Sequence, residues 1–136
     1  KPSSAASDVY KRQFLDTVAL EQGESELSSL YDGIEHTFQG SWAEIQENLD
    51  GELAELVAKL TAQASPSALV AAAELFAANA SQDLAGALDN ERRLGALMTR
   101  EPDFAEGVRA VLVDKDQSPN FAPQPEPGKY RDVLRN

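Results

Sequence analysis

The stretch Asp103-Phe-Ala-Glu-Gly-Val-Arg-Ala-Val-Leu-Val-Asp-Lys-Asp-Gln-Ser-Pro-Asn-Phe121 decides the fold class. Phe104, Val108, Val111 and Leu112 recur at i, i+4, i+7 and i+8, the spacing of one helix face. Val108 to Val113 is the one short β-like run in the chain, and it fits helical spacing better than strand alternation. Pro102 suits a first helical position, where its missing N–H costs nothing. The reading is therefore a last helix from Pro102-Asp103 to about Asp114, with Phe104, Val108, Val111 and Leu112 on its buried side. Ser118-Pro119, Pro123, Pro125 and Pro127-Gly128 then predict an extended segment that lies on a surface or hangs free.

Working upstream, the same period recurs. Leu27, Leu30, Tyr31, Ile34 and Phe38 form the stripe of a helix over about residues 24–38, ended by Gly40. Ser41-Trp-Ala-Glu44 has the form of a capping box, opening a short helix that turns Trp42, Ile45 and Leu49 inward. Asp50-Gly51 is the next stop, and Leu53, Leu56, Val57 and Leu60 mark a helix to about Gln63. Ser65-Pro66 combines a cap with proline at the first position and starts an Ala-rich helix to Ala80. Its stripe is Leu69, Ala73, Phe76, Ala77 and Ala80, small enough for another element to approach closely. Ser81 or Asp83 caps the next helix, which carries Leu84, Leu88, Glu91, Leu94 or Gly95, and Met98 on one face to about Arg100. The expected fold is all-α, about six packed helices, several too short to persist without tertiary packing.

Composition sets the bounds. The 136 residues are one domain's worth of chain, and the absence of Cys excludes disulfides, thiolate metal sites and a cysteine nucleophile. No apolar run approaches the roughly 18 residues of a membrane span, so no membrane insertion is expected. Between Asp16 and Gln63 there are 11 acidic residues and one basic residue, Lys59, out of a whole-chain charge of −11. Such a face repels phosphate, so no direct nucleic-acid contact is expected; it reads as a solvated surface or a seat for a basic partner. The chain starts at Lys1 and its one Met is Met98, which reads as a processed or truncated polypeptide. Residues 1–23 read as a tail. Within it, Asp8-Val-Tyr-Lys-Arg-Gln13 is similar to a hexapeptide recurrent in adaptor-derived translations, making residues 1–13 candidate non-native sequence. The alternative there is a basic, Ser-rich disordered tail. The domain reading is thus tail 1–23, helical region 24–116 and Pro-rich extended tail 117–136.

The catalytic inventory is thin. No Gly-rich phosphate loop, dinucleotide fingerprint or Gly-x-Ser-x-Gly elbow is present. His36 is the lone histidine, with Gly40 rather than a ligand one turn on, and reads as a surface residue. Glu44, Glu47, Glu52 and Glu55 alternate with apolar positions as exposed helix faces do. Glu91 stands out because it lies in an apolar stripe beside Arg92 and Arg93, where an ion pair explains it more readily than catalysis. No metal or cofactor site is expected.

Residues 103–121 resemble the C-terminal signature of the 3-hydroxyisobutyryl-CoA hydrolase branch of the crotonase (enoyl-CoA hydratase/isomerase) superfamily. Ile34 to Phe38, Ile45-Gln-Glu-Asn-Leu49, Ala64-Ser-Pro-Ser-Ala68 and Leu88-Asp-Asn-Glu-Arg-Arg-Leu94 followed by Met98 extend the likeness, which covers about residues 24–121. The resemblance implies the C-terminal segment of a crotonase-type fold whose N-terminal β/α spiral, with its oxyanion-hole amides and catalytic carboxylate, is absent. No catalytic residue transfers to this chain. Lys115 is the implied contact to a CoA phosphate, although Asp114 and Asp116 flank it. Phe104, Glu106, Gly107, Arg109, Asp114 and Glu91 read as a structural motif: Phe104 anchors, Gly107 admits a close backbone approach, and Arg109 pairs with Glu106 or Glu91.

Two functions follow from the resemblance. The first is a non-catalytic docking subunit in a larger mitochondrial assembly, the small ribosomal subunit being a candidate. The alternative is the lid half of an active hydrolase of valine breakdown. Partners are other protein chains, with acyl-CoA only where the catalytic half is present.

Overall fold

The computed structural model describes residues 9–15, 25 and 27–135. Residues 9–15 form α1, and the rest of the expected tail over 1–23 lies outside the described residues. A 3-10 turn, Ser28–Leu30, leads into α2 (Tyr31–Thr37), followed by α3 (Trp42–Asn48), α4 (Gly51–Thr61), α5 (Pro66–Asn79) and α6 (Leu84–Met98). Then come α7 (Pro102–Val108), a π-helical turn (Arg109–Val113), an extended run and α8 (Gly128–Leu134). Among the described residues there is no strand, in keeping with the all-α reading.

Local chemistry sets most boundaries. The Ser41 Oγ accepts the Glu44 N–H at 3.4 Å while the Glu44 carboxylate accepts the Ser41 N–H at 2.8 Å, completing the capping box of α3. Gly40 precedes it at φ +79°, where a side chain is strained, and a Cβ there would meet Glu44 Oε2 at 2.6 Å and displace the capping carboxylate. Ser65 caps α5 with Pro66 at its first position, and of the two cap candidates for α6 it is Asp83 that accepts the Gly86 N–H, at 2.8 Å.

The core runs through five helices: Trp42 and Ile45 from α3, Leu53 and Val57 from α4, Val70 and Ala71 from α5, Leu94 from α6 and Tyr130 from α8. Each fully buried aliphatic or aromatic side chain contributes about 1.5–3 kcal/mol. Tyr130, at 0% exposure, is the largest side chain so enclosed.

The buried faces depart from several expectations. On α5 it is Ser67, Val70, Ala71, Ala73 and Glu74 that face inward, leaving Phe76, Ala77 and Ala80 exposed. On α6 the inward residues are Asn90 and Leu94, so Glu91, Leu84 and Leu88 stand in solvent and the anomaly at Glu91 disappears. In an Ala-rich or sparsely apolar helix the stripe is too faint to fix its rotation, and partner helices choose the face. Leu27, Tyr31, Phe38 and Leu60 are likewise exposed. The tail reading needs the largest revision: residues 114–127 carry no helix, but α8 follows and plugs the core. Proline interrupts a helix only locally, and Gly128-Lys-Tyr-Arg-Asp-Val-Leu134 lies beyond the last one.

The latched face of the seventh helix as candidate functional site

Helix α7 turns its polar side toward the protein. Asp103, 6% exposed, accepts the Ser65 and Ser67 hydroxyls on Oδ2 at 2.6 and 2.8 Å and the Ala122 N–H on Oδ1 at 3.0 Å. One carboxylate thus joins the start of α5, the start of α7 and the extended run. Burial pushes the Asp103 carboxyl up, but the bonds from Ser65, Ala122 and Ser67 together outweigh it and hold the group below its ordinary value.

One turn on, Glu106 and Arg109 form a fork, Nε to Oε2 at 2.9 Å and Nη2 to Oε1 at 2.8 Å. Arg109 Nη1 also donates to Asp114 at 2.6 Å and Asp116 at 2.7 Å, and Nη2 donates to the Ser118 carbonyl at 3.2 Å. Its five N–H donors therefore match five bonds. Glu106 accepts the Asn120 N–H at 2.7 Å as well. The Arg109 hydrogen bonds, and then that from Asn120, bring the Glu106 carboxyl down to about 2. Around this hub the chain reverses through Lys115 and Gln117, at φ 57° and 56°. A left-handed conformation at two non-glycine residues persists because Arg109 holds the carboxylates on either side of Lys115.

The opposite side of α7 is apolar and uncovered. Phe104 is 52% exposed and Leu112 66%, with Val108, Val111 and Val113 exposed beside them. The stripe exists as the spacing predicts, but it faces outward, contrary to the expected burial, while the polar face is the one that packs. With Met98 and Phe121 it lines a groove of about 410 Å³.

The expected motif residues fall into two groups. Glu106, Arg109 and Asp114 come together; Glu91 is exposed on α6 and is not Arg109's partner. Gly107 faces the Phe121 ring rather than backbone, and a Cβ there would lie 3.8 Å from it, an ordinary contact. Lys115 is exposed between two aspartates whose carboxylates are engaged by Arg109. His36 is exposed on α2. Sequence reasoning missed Asp103 with its two serines, whose signal was a carboxylate at a helix start and Ser-x-Ser at another. It also missed the anchoring of α8, where Arg131 forks onto Glu74 at 2.6 and 2.9 Å and Arg93 donates to the Val133 carbonyl at 2.9 Å. Among the described residues no group of three or more His, Cys, Asp or Glu is placed to hold a metal, and no helix is long and apolar enough to cross a membrane.

Comparison with known proteins gives this arrangement its context. The chain is 38% identical over 96 residues to the mitochondrial 3-hydroxyisobutyryl-CoA hydrolase of Dictyostelium discoideum, covering 66% of this chain and 25% of that protein. It is 41% identical over 87 residues to the Danio rerio protein of the same name, covering 62% and 23%, and 42% over 65 residues to that of Homo sapiens, covering 48% and 17%. The chain thus spans a quarter or less of the length of these relatives. Its fold superposes with a TM-score of 0.72 and 30% identity on an enoyl-CoA hydratase from Rhodobacter sphaeroides, over 98% of this chain and 43% of that one. With the family pattern matched over residues 2–129, the chain belongs to the enoyl-CoA hydratase/isomerase family as a C-terminal helical segment of the crotonase fold.

Proposed function

We propose that this chain is the C-terminal helical part of a 3-hydroxyisobutyryl-CoA hydrolase acting in the mitochondrial matrix, which cleaves the thioester of 3-hydroxyisobutyryl-CoA. The observation that carries this reading is the shared name of relatives 38–42% identical to it. Those relatives are named mitochondrial, and nothing in the names points to a ribosomal or scaffold subunit. The docking-subunit reading therefore gives way to its alternative. The helices position and enclose, while base and oxyanion donors come from the remainder of the enzyme.

Two assays test this. The polypeptide expressed from the intact gene should hydrolyse 3-hydroxyisobutyryl-CoA; hydration of a 2-enoyl-CoA without thioesterase activity, or neither activity, would overturn the assignment. The contribution of Lys115 is a contact to a CoA phosphate. Lys115→Ala should raise KM for the CoA thioester about 2–5-fold, the scale of an exposed ion pair. The kcat, and turnover of the matching pantetheine thioester, which lacks the nucleotide phosphates, should stay unchanged. Equal effects on both substrates, or none on either, would remove Lys115 from the site.

A further inference from the structure

We propose that Ser118 is a phosphoacceptor site for a proline-directed serine/threonine kinase, and that its modification opens the turn over residues 114–118. The chain contains two Ser-Pro pairs, Ser65-Pro66 and Ser118-Pro119. By sequence they are equivalent, and the fold treats them oppositely. Ser65 is half-buried at the start of α5, its Oγ donating to Asp103 at 2.6 Å, lying 2.7 Å from the Ser67 hydroxyl and accepting the Ala68 N–H at 3.2 Å. That hydroxyl is engaged, and Pro66 is already helical. Ser118 is exposed in a run with no helix or strand, and its hydroxyl has no hydrogen-bond partner among the described residues. Pro119 biases the residue before it toward extended backbone, the form in which a kinase groove takes an acceptor.

The effect of a phosphate follows from the hub beside it. Ser118 is tied to that hub by its backbone: its N–H donates to Asp116 Oδ1 at 2.9 Å and its carbonyl accepts Arg109 Nη2 at 3.2 Å. Glu106, Asp114 and Asp116 already place three carboxylates on one guanidinium, whose five N–H donors are all engaged. In the transfer the Ser118 Oγ attacks the γ-phosphorus of magnesium ATP, the bond from that phosphorus to ADP breaks, and the hydroxyl proton passes to the kinase's carboxylate base. The product adds about −1.5 to −2 charge and three acceptor oxygens. No donor of Arg109 is left to receive them, so the phosphate either displaces a carboxylate or stands as a like charge beside Asp116. Both routes weaken the bond from Arg109 to Asp116. Lys115, exposed three residues back, offers a single positive charge against that dianion and leaves the turn net negative. Lys115 and Gln117 keep φ 57° and 56° against their own preference, so a weakened hub lets both return to ordinary backbone. The coupling is reciprocal: the opening that the phosphate favours is also the opening that admits the kinase.

The polypeptide from the intact gene is incubated with magnesium ATP and a proline-directed kinase, and phosphate is mapped by mass spectrometry. Ser118 should be modified about 10–100-fold faster than Ser65, the factor that one hydrogen bond to a charged group imposes on freeing the Ser65 hydroxyl. Ser118→Ala should abolish the faster product. Amide exchange at Asn120 in the modified protein should accelerate about tenfold while exchange in α4 stays unchanged, and Arg109→Met should speed modification of Ser118 by a comparable factor. No phosphate at Ser118, equal rates at the two serines, or modification that leaves exchange at Asn120 unaltered would overturn the proposal, as would a rate indifferent to Arg109→Met. The first three readouts use wild-type protein, so a misfolded Arg109 variant does not remove the test. Neither the site nor its effect depends on the proposed substrate.

Discussion

Replacing Asp103 by Asn removes one negative charge from a site with three bonds to other segments, 36, 38 and 19 residues away in sequence. If the amide keeps its oxygen toward Ala122, its NH2 faces two hydroxyls that must turn round to accept. If it flips, the NH2 faces the Ala122 N–H and that bond is lost. Hydrogen bonds to a charged group contribute about 1.5–3 kcal/mol each. With partial rescue by hydroxyl rotation we expect a net loss of ~2–3 kcal/mol, or about 6–10 °C in Tm at this chain length. The carboxyl is held below its ordinary value in the fold, so its stabilisation is present above the unfolded-state pKa and disappears as pH falls through the lower folded-state pKa. Urea unfolding of wild type and Asp103→Asn at pH 7 and pH 3 reads both quantities. The gap should be full at pH 7 and smaller at pH 3. A loss under ~0.5 kcal/mol at pH 7, or a gap that does not change with pH, would refute the role given to this carboxylate.

Two further substitutions probe the latch and the plug. Tyr130 is wholly buried and its hydroxyl has no hydrogen-bond partner among the described residues, so Tyr130→Phe should be neutral or stabilising by ~1 kcal/mol, where a bonded tyrosine would lose that amount; thermal unfolding decides. Arg109→Met should release the turn at residues 114–118 while sparing the distant core. Amide hydrogen exchange at Ser118 and Asn120 should then accelerate at least tenfold with exchange in α4 unchanged, and equal protection at those amides would remove Arg109 from the latch.

How much of this was legible in the sequence depended on the range of the interaction. Ser41 with Glu44, Ser65 with Pro66, and Asp83 each act within one helical turn, and each marks a boundary that the fold keeps. For Arg109 the sequence offered two partners, Glu106 and Glu91, and the fold takes Glu106, three residues away. The C-terminal signature over residues 103–121 carries the resemblance to crotonases in the sequence alone. Glu91 misled because a face that carries Leu88 and Leu94 looks buried by periodicity, and periodicity cannot say which face meets a neighbour.

The amino-acid sequence by itself determined helices without strands among the described residues and most of their starts and stops, because caps, prolines and the helical period are local properties; the family followed separately, from the resemblance carried by residues 103–121. Only the tertiary structure decided which stripes are covered, that α8 returns to plug the core through Tyr130 and the Arg131–Glu74 fork, and that α7 points its apolar side outward. Those outcomes turn on residues up to 57 positions apart in sequence. Burial is a property of two surfaces meeting, and a stripe read along one helix names only one of them.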